Sequence, residues 1–293
     1  MKGGDVLLAL TVVTMWGLNF VAIEVVLREL EPIFVTALRF ILVVLPAIFF
    51  VRPPKTSWRL IVGYGAFMFA GQFVFLFTGI ALGMPAGLAS LMLQLHVFVT
   101  IALAVLFLGE RITVAQIGGA ALGFAGLCLV AVNLGTGTTL LGLAAVVTGA
   151  ASWGVANLIS KRIGPVDVFA LVVWGGAVVP LPLLALSWLI EGPAAWADLL
   201  NGLAWSTLLA LAYIVYVATH LGFSIWGTLL TRYPAAVVTP WALLVPIVGL
   251  LAAAAFLDEP LYWWKGAAAV LVISGLALIN FAHLMRRRSA RSG

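Results

Sequence analysis

Charge is what this chain has least of. Asp, Glu, Lys and Arg supply 9% of its 293 residues, against about 25% in a soluble globular protein. Hydrophobic residues supply 64%. So few charges cannot cover that much apolar surface in water, so the solvent that fits is lipid. Cysteine is nearly absent: Cys128 alone, inside an apolar run, excludes an intrachain disulfide. No Gly-x-x-x-x-Gly-Lys-Ser/Thr loop occurs, so ATP is not the direct energy source. Gly-x-Ser-x-Gly, His-Glu-x-x-His and paired buried carboxylates are missing as well. No catalytic group, metal or cofactor is therefore expected. The apolar start, Val6 to Val26, lacks a small-residue cleavage site and reads as a membrane helix, not a signal peptide.

What is there is a series of long apolar runs without period-2 alternation. They argue helices and not a lipid-facing barrel. Turn residues and charges divide them into ten, at about 5–27, 33–51, 60–82, 86–108, 113–133, 138–160, 166–189, 205–230, 235–257 and 262–284. The breaks include Glu31-Pro32, Arg52-Pro53-Pro54-Lys55, Gly83-Met84-Pro85, Gly135-Thr136-Gly137 and Arg232-Tyr233-Pro234. Ten helices of about 20 residues use roughly two-thirds of the chain and leave no room for a soluble domain.

The cations sort under this count. Lys2, Arg52, Lys55, Arg59, Arg111, Lys161, Arg162, Arg232 and Arg286, Arg287, Arg288 and Arg291 fall on one side. Arg28 and Lys265 fall on the other, among Glu29, Glu31, Glu191, Asp198, Asp258 and Glu259. The excess of Lys and Arg makes the first side cytoplasmic and puts both termini there. The net charge of +5 is then an orientation signal, and no nucleic acid is expected as a partner.

Two stretches echo one another. Phe107-Leu108-Gly109-Glu110 matches Phe256-Leu257-Asp258-Glu259, and each precedes a small-residue helix carrying Ala125-Gly126-Leu127 or Ser274-Gly275-Leu276. Pro85-Ala86-Gly87 aligns with Pro234-Ala235-Ala236, Trp16-Gly17-Leu18-Asn19 with Trp153-Gly154-Val155-Ala156-Asn157, and Pro32 with Pro165. The expectation is a duplication: residues 1–134 and 138–285 as two five-helix repeats, with 286–293 a basic cytoplasmic tail. Five is odd, so the second copy enters from the opposite face. The fold class is thus an all-α polytopic membrane protein, ten transmembrane helices as two inverted five-helix repeats. Such repeats serve alternating access around a midplane site.

The Trp-Gly-x-Asn motif, Pro32 with Leu38-Arg39-Phe40, and Leu108-Gly109-Glu110 with its echo Leu257-Asp258-Glu259 resemble the drug/metabolite transporter superfamily. The resemblance is to its ten-helix EamA-type branch, and within that to YddG-type exporters of aromatic and other neutral amino acids. It implies two five-helix bundles around a central cavity lined by helices one, three, four, six, eight and nine. The second half departs from the pattern at Val172, where Arg39 would recur, so the role of Arg39 is not symmetric.

Polar groups at mid-membrane depth are costly and face a cavity or one another. His96, Gln94, Gln72 and His220 are candidates to line the path, with Tyr213 and Tyr216 near His220. Asn19 and Asn157 either line the cavity or brace a neighbouring helix, a bond of about 0.6–2 kcal/mol. Trp16, Trp153 and Trp241 are deep enough to wall a cavity with flat faces; Trp263 and Trp264 read as an interfacial belt. A histidine can bind a carboxylate or relay a proton, though each could instead be a neutral group satisfied by one helix contact. Arg39 and Glu24 lie at similar depth on consecutive helices, so a structural ion pair is expected, with a carboxylate anchor at Arg39 the lesser alternative. Gly119-x-x-x-Gly123 permits close packing within the chain or between subunits. Pro240 and Pro246 interrupt the ninth helix.

The expected protein is a secondary carrier in a bacterial-type cytoplasmic membrane, exporting small metabolites, foremost neutral and aromatic amino acids. Export of cationic drugs is the alternative, and it would favour a membrane-embedded carboxylate; a membrane enzyme or a receptor has less to support it. The lipid bilayer and a small-molecule substrate are the expected partners. The sequence leaves a proton as a co-passenger open, and monomer or homodimer likewise.

Overall fold

The computed structural model describes residues 1–110, 112–134, 138–233 and 235–289. Arg111, the Gly135-Thr136-Gly137 break, Pro234 and the end of the basic tail lie outside the described residues. The described residues are helical, without strands. The long helices are α1 (Gly3–Val26), α2 (Pro32–Val44, continued by a 3-10 turn at Ala47–Phe49), α3 (Trp58–Ala81), α4 (Ala86–Leu108) and α5 (Val114–Val132). Then follow α6 (Leu140–Ile163), α7 (Val168–Gly176 and Pro180–Ile190, bent by 40°), α8 (Trp205–Arg232), α9 (Thr239–Phe256) and α10 (Trp263–Ser289). Eight are long and apolar enough to cross a membrane, and the bent α7 makes a ninth; the described apolar part of α10, Trp263–Ile279, is shorter. A short helix, Ala194–Asn201, joins α7 to α8 and has no counterpart in the sequence expectation.

Several ends are fixed by side chains. Thr113 and Gln116 form a reciprocal capping box at the start of α5. Asp167 accepts from the amides of Phe169 and Ala170 at the start of α7. α2 has no cap of its own. Instead Glu191, at the far end of α7, accepts from the amides of Ile33 at 2.6 Å and Phe34 at 3.0 Å.

The packing follows an exchange rule. α1 packs on α9, and α6 on α4; α3 packs on α6, and α8 on α1. α2 packs on α7, and α5 on α10. Swapping each helix of the first five for its counterpart in the second turns this set into itself. The main exception is one pair. α1 packs on the first part of α4, Ala86–Met92, while among the described residues α6 makes no comparable contact with α9.

The irregularities match too. α3 and α8 both begin on tryptophan, and each opens into a π-helical stretch eight residues later, Ala66–Gly71 and Tyr213–Leu221. α4 and α9 each carry a 3-10 segment, Leu93–Leu95 and Thr239–Leu244. Proline explains the second, at Pro240; α4 has none inside, so there the bend comes without it.

Cross-contacts sort the helix ends into two sets. At one end Asp5 pairs with Arg232, Trp174 donates to the Val51 carbonyl, and Lys161 pairs with Glu110. At the other, Glu191 holds the start of α2, Glu29 accepts from the Ala204 amide before α8, Thr139 donates to the Leu82 carbonyl, and Glu259 meets Gly87 and Lys265. Every one of these joins ends that strict up-and-down threading would bring together. Burial differs between the ends of α4. Each residue from Ala86 to Leu95 is buried, whereas Ala104 alone is buried from His96 to Leu108.

α5 and α10 cross on glycine. A methyl added to Gly119 would lie 2.6 Å from the Gly275 carbonyl oxygen, and one added to Gly275 would lie 2.5 Å from that of Gly119. The Gly119-x-x-x-Gly123 spacing therefore serves packing within the chain, Gly123 facing Phe98 of α4. The belt expectation holds for Trp263, which is 77% exposed, and fails for Trp264, which is 3% exposed and stacked on Tyr262. Trp264 lies under the elements around it because α10 turns that side of its first turn inward.

Candidate functional site

The first cluster lies between α4 and α6. The His96 ring stacks on Trp153 with centroids 3.8 Å apart and planes at 16°. Asn157 lies one turn beyond Trp153, so both side chains leave the same face of α6. Its amide nitrogen is 3.4 Å from His96 Nδ1 and 3.0 Å from Thr100 Oγ1. Thr100, one turn beyond His96, donates its own proton to the His96 carbonyl. With the amide donating, Nδ1 is the acceptor and the ring proton sits on Nε2. Three side chains from two helices, Trp153, Asn157 and Thr100, thus fix one neutral imidazole at the point where burial along α4 gives out.

The second cluster lies where α1 meets the π stretch of α8. A π turn leaves carbonyls without their usual helical donors. Trp16 Nε1 donates to the Ala218 carbonyl at 3.0 Å, and Tyr213 Oη donates back to the Met15 carbonyl at 2.9 Å. Trp16 also packs against Phe223 and Trp226. The counterpart contact is present: Ser152 of α6 donates to the Phe67 carbonyl in the π stretch of α3. Trp241 sits on α9 beside Ala9, Leu229 and Val238, nearer the end that holds Asp5 and Arg232.

The third group faces α2. His220 Nε2 is 2.9 Å from the Val43 carbonyl, with Phe169 and Tyr216 against its ring. Tyr216 itself is half exposed. His220 is thus turned to α2, and the contacts that orient it are separate from those around His96. Gln94 reaches the Ala242 carbonyl in the 3-10 segment of α9, at 3.5 Å. Gln72 and Asn19 are buried, with carbonyl oxygens that accept no hydrogen bond among the described residues.

The expected Glu24–Arg39 ion pair is absent among the described residues. The turn between α1 and α2 does not make them packing partners: α1 lies mainly on α8 and α9, while α2 lies on α3, α7 and α8. Glu24 is half-buried near Arg28 and Glu259. Arg39 is 3% exposed and turned to α3 and α8. Its Nη2 donates to Thr219 Oγ1 at 3.0 Å, and its guanidinium carbon lies 3.9 Å from the Phe73 ring centroid. Such a cation–π contact is worth about 2 kcal/mol when desolvated. Thr100, Ser152 and Thr219 escape a search for ionisable or aromatic groups; only their spacing from His96, Trp153 and His220 hints at them.

An open pocket of about 490 Å³ lies elsewhere, between residues 50–55 after α2 and Pro165, Val166, Asp167, Phe169 and Ala170 at the start of α7. Arg52, Lys55 and the prolines of the breaks line it, but none of the residues expected to line the transport path does.

Comparison with known proteins adds relatives of the whole chain. The model of the EamA-like transporter family matches residues 4–132 and, separately, residues 140–281. A Salmonella typhimurium protein named a probable amino-acid metabolite efflux pump is 43% identical over 299 residues, covering 100% of both chains. An Escherichia coli protein of the same name is 42% identical over the same extent. A Streptantibioticus cattleyicolor protein named a probable terminal-alkyne amino-acid exporter is 36% identical over 70% of this chain and 68% of its own. A solved crystal structure matches 98% of this chain and 99% of its own with a TM-score of 0.65, at 20% identity, which is a likeness of fold.

Proposed function

The chain belongs to the EamA-like transporter family, and on that premise we propose that it exports small amino-acid metabolites, with neutral and aromatic amino acids foremost, by alternating access across the cytoplasmic membrane. The observation that carries the mechanism is the exchange rule in the packing. Two halves related by such an exchange, each of five helices, run in opposite directions through the bilayer. The family's two matches to one chain and the paired π and 3-10 segments support the same division, at 1–134 and 138–285. The charge sorting supports ten crossings with both termini in the cytoplasm.

The broken pair is then the functional asymmetry. α1 against the start of α4 closes the outer end, where Glu29, Glu191 and Glu259 each accept amides at a helix start. α6 against the start of α9 would close the inner end, and it is apart. A cargo would therefore enter from the cytoplasm beside His96, where α4 loses its burial. Exchanging the two contacts would release it outside.

In this reading His96, Trp153 and Asn157 form one wall of the path and Trp16, Asn19 and Tyr213 the facing one. Gln72 and Gln94 supply polar contacts deeper in. His220, Tyr216 and Trp241 border the moving helices. Export of cationic drugs has less support: Glu24 lies toward the outer end, and the buried cation Arg39 would repel such a cargo.

The test is transport by the purified protein in liposomes. Labelled neutral amino acids should accumulate above the level of empty liposomes, and His96→Ala and Trp16→Ala should each slow uptake while folded protein is retained. Wild-type rates equal to empty liposomes across a broad panel of amino acids would discard the assignment.

A further inference from the structure

We propose that Arg39 is the anion-binding group of the carrier, and that its free guanidinium edge takes the carboxylate of the transported amino acid. This rests on the export reading above and adds to it the chemistry that selects the cargo.

Arg39 is 3% exposed, in the interior of a protein that lies in lipid. A guanidinium cannot shed its proton there, so it must be met by an anion or by many acceptors. Among the described residues it has one acceptor, Thr219. Its Nε and Nη1 have none. The ion pairs among the described residues are Lys161–Glu110, Arg232–Asp5 and Lys265–Glu259, so no carboxylate among them balances it. Phe73 and Phe40 stabilise the charge through their faces but accept no N–H in the plane of the fork.

The geometry leaves the right shape. A guanidinium offers five N–H groups, four of them arranged as two edges of two parallel donors each. Nη2 belongs to both. Thr219 uses one of its protons, so whichever edge Thr219 occupies, the other remains whole for a bidentate carboxylate. Thr219 is itself held as an acceptor, because its hydroxyl proton goes to the Ile214 carbonyl at 2.8 Å across the π stretch. Next to it, His220 meets the Val43 carbonyl one turn along α2 from Arg39. The π stretch of α8 therefore grips α2 at two points and holds the fork in place. On α3, Gln72, next in the chain to Phe73, keeps an amide oxygen without a donor among the described residues, which suits an ammonium group.

The experiment compares, in proteoliposomes, a labelled neutral amino acid with its primary amide, which keeps the side chain and the ammonium but lacks the carboxylate. Wild type should favour the acid by about tenfold or more, the size of a lost charge-assisted hydrogen bond. Arg39→Gln should move both equally, and Arg39→Lys should keep the preference with a raised KM. Equal transport of acid and amide by wild type, or an undiminished preference in Arg39→Gln, would overturn the proposal. If Arg39→Gln does not fold, wild type and Arg39→Lys decide by the same comparison. If wild type moves no amino acid, the export reading fails. Thermal stabilisation of detergent-solubilised protein by the acid and not the amide would then still support the anion site, and its absence would overturn that too.

Discussion

At the scale of single residues, the protein spends its few polar groups on holding irregular backbone and orienting one imidazole. Trp16 shows the first use. Trp16→Phe keeps the ring and removes the donor to the Ala218 carbonyl. A buried carbonyl left without a donor costs about 1–3 kcal/mol. The melting temperature in detergent should fall, and Ser152→Ala, which frees the Phe67 carbonyl, should lower it in the same way. Asn157→Leu shows the second use. It should cost about 0.6–2 kcal/mol, as helix-to-helix hydrogen bonds in membranes do, and slow transport by more than Thr148→Val, a threonine that bonds within its own helix. Which polar residues lie deep within the helices was legible in the sequence, and depth alone makes them expensive. Which way each one faces was not. Asn157 turned out to bond His96, while His220 turned to α2. The expected Glu24–Arg39 pair failed because neighbours along the chain are not neighbours in space once α1 crosses to the other half.

At the scale of elements, helix ends could be read within a few residues, since prolines, glycines and charges punctuate the runs. The interruptions inside helices could not. The π stretches of α3 and α8 contain no proline, and neither does the 3-10 segment of α4. They are imposed by partners, as the donors from Ser152 and Trp16 show. Pairing of helices was legible where small residues recur. Gly119 and Gly275 bring α5 and α10 into backbone contact. Gly119→Val should push these helices apart and lower both folded yield and melting temperature. Gly227→Ala, at a site with nothing within 4 Å, should leave both unchanged.

At the scale of the whole molecule, a single relation organises the rest: each half repeats the other's packing, and in the function we propose the halves face opposite ways. It gives α3 and α8 matching π stretches and pairs α2 with α7 and α5 with α10; in the proposed function the contact of α6 with α9 belongs to the alternate state. The repeated motifs are the sequence's ground for the proposed division, and the family model matches residues 4–132 and 140–281 separately. The state was not legible in the sequence, because both states use the same residues. The most direct measurement labels equivalent loops from one side. In a Cys128→Ser background, single cysteines at Lys55, after α2, and at Leu199, after α7, are exposed and occupy matching places in the two halves. A membrane-impermeant thiol reagent added to intact cells should label the cysteine at 199 and spare the one at 55 until the membrane is opened. Labelling of both from outside, or of neither, would mean that the halves point the same way and would contradict the account.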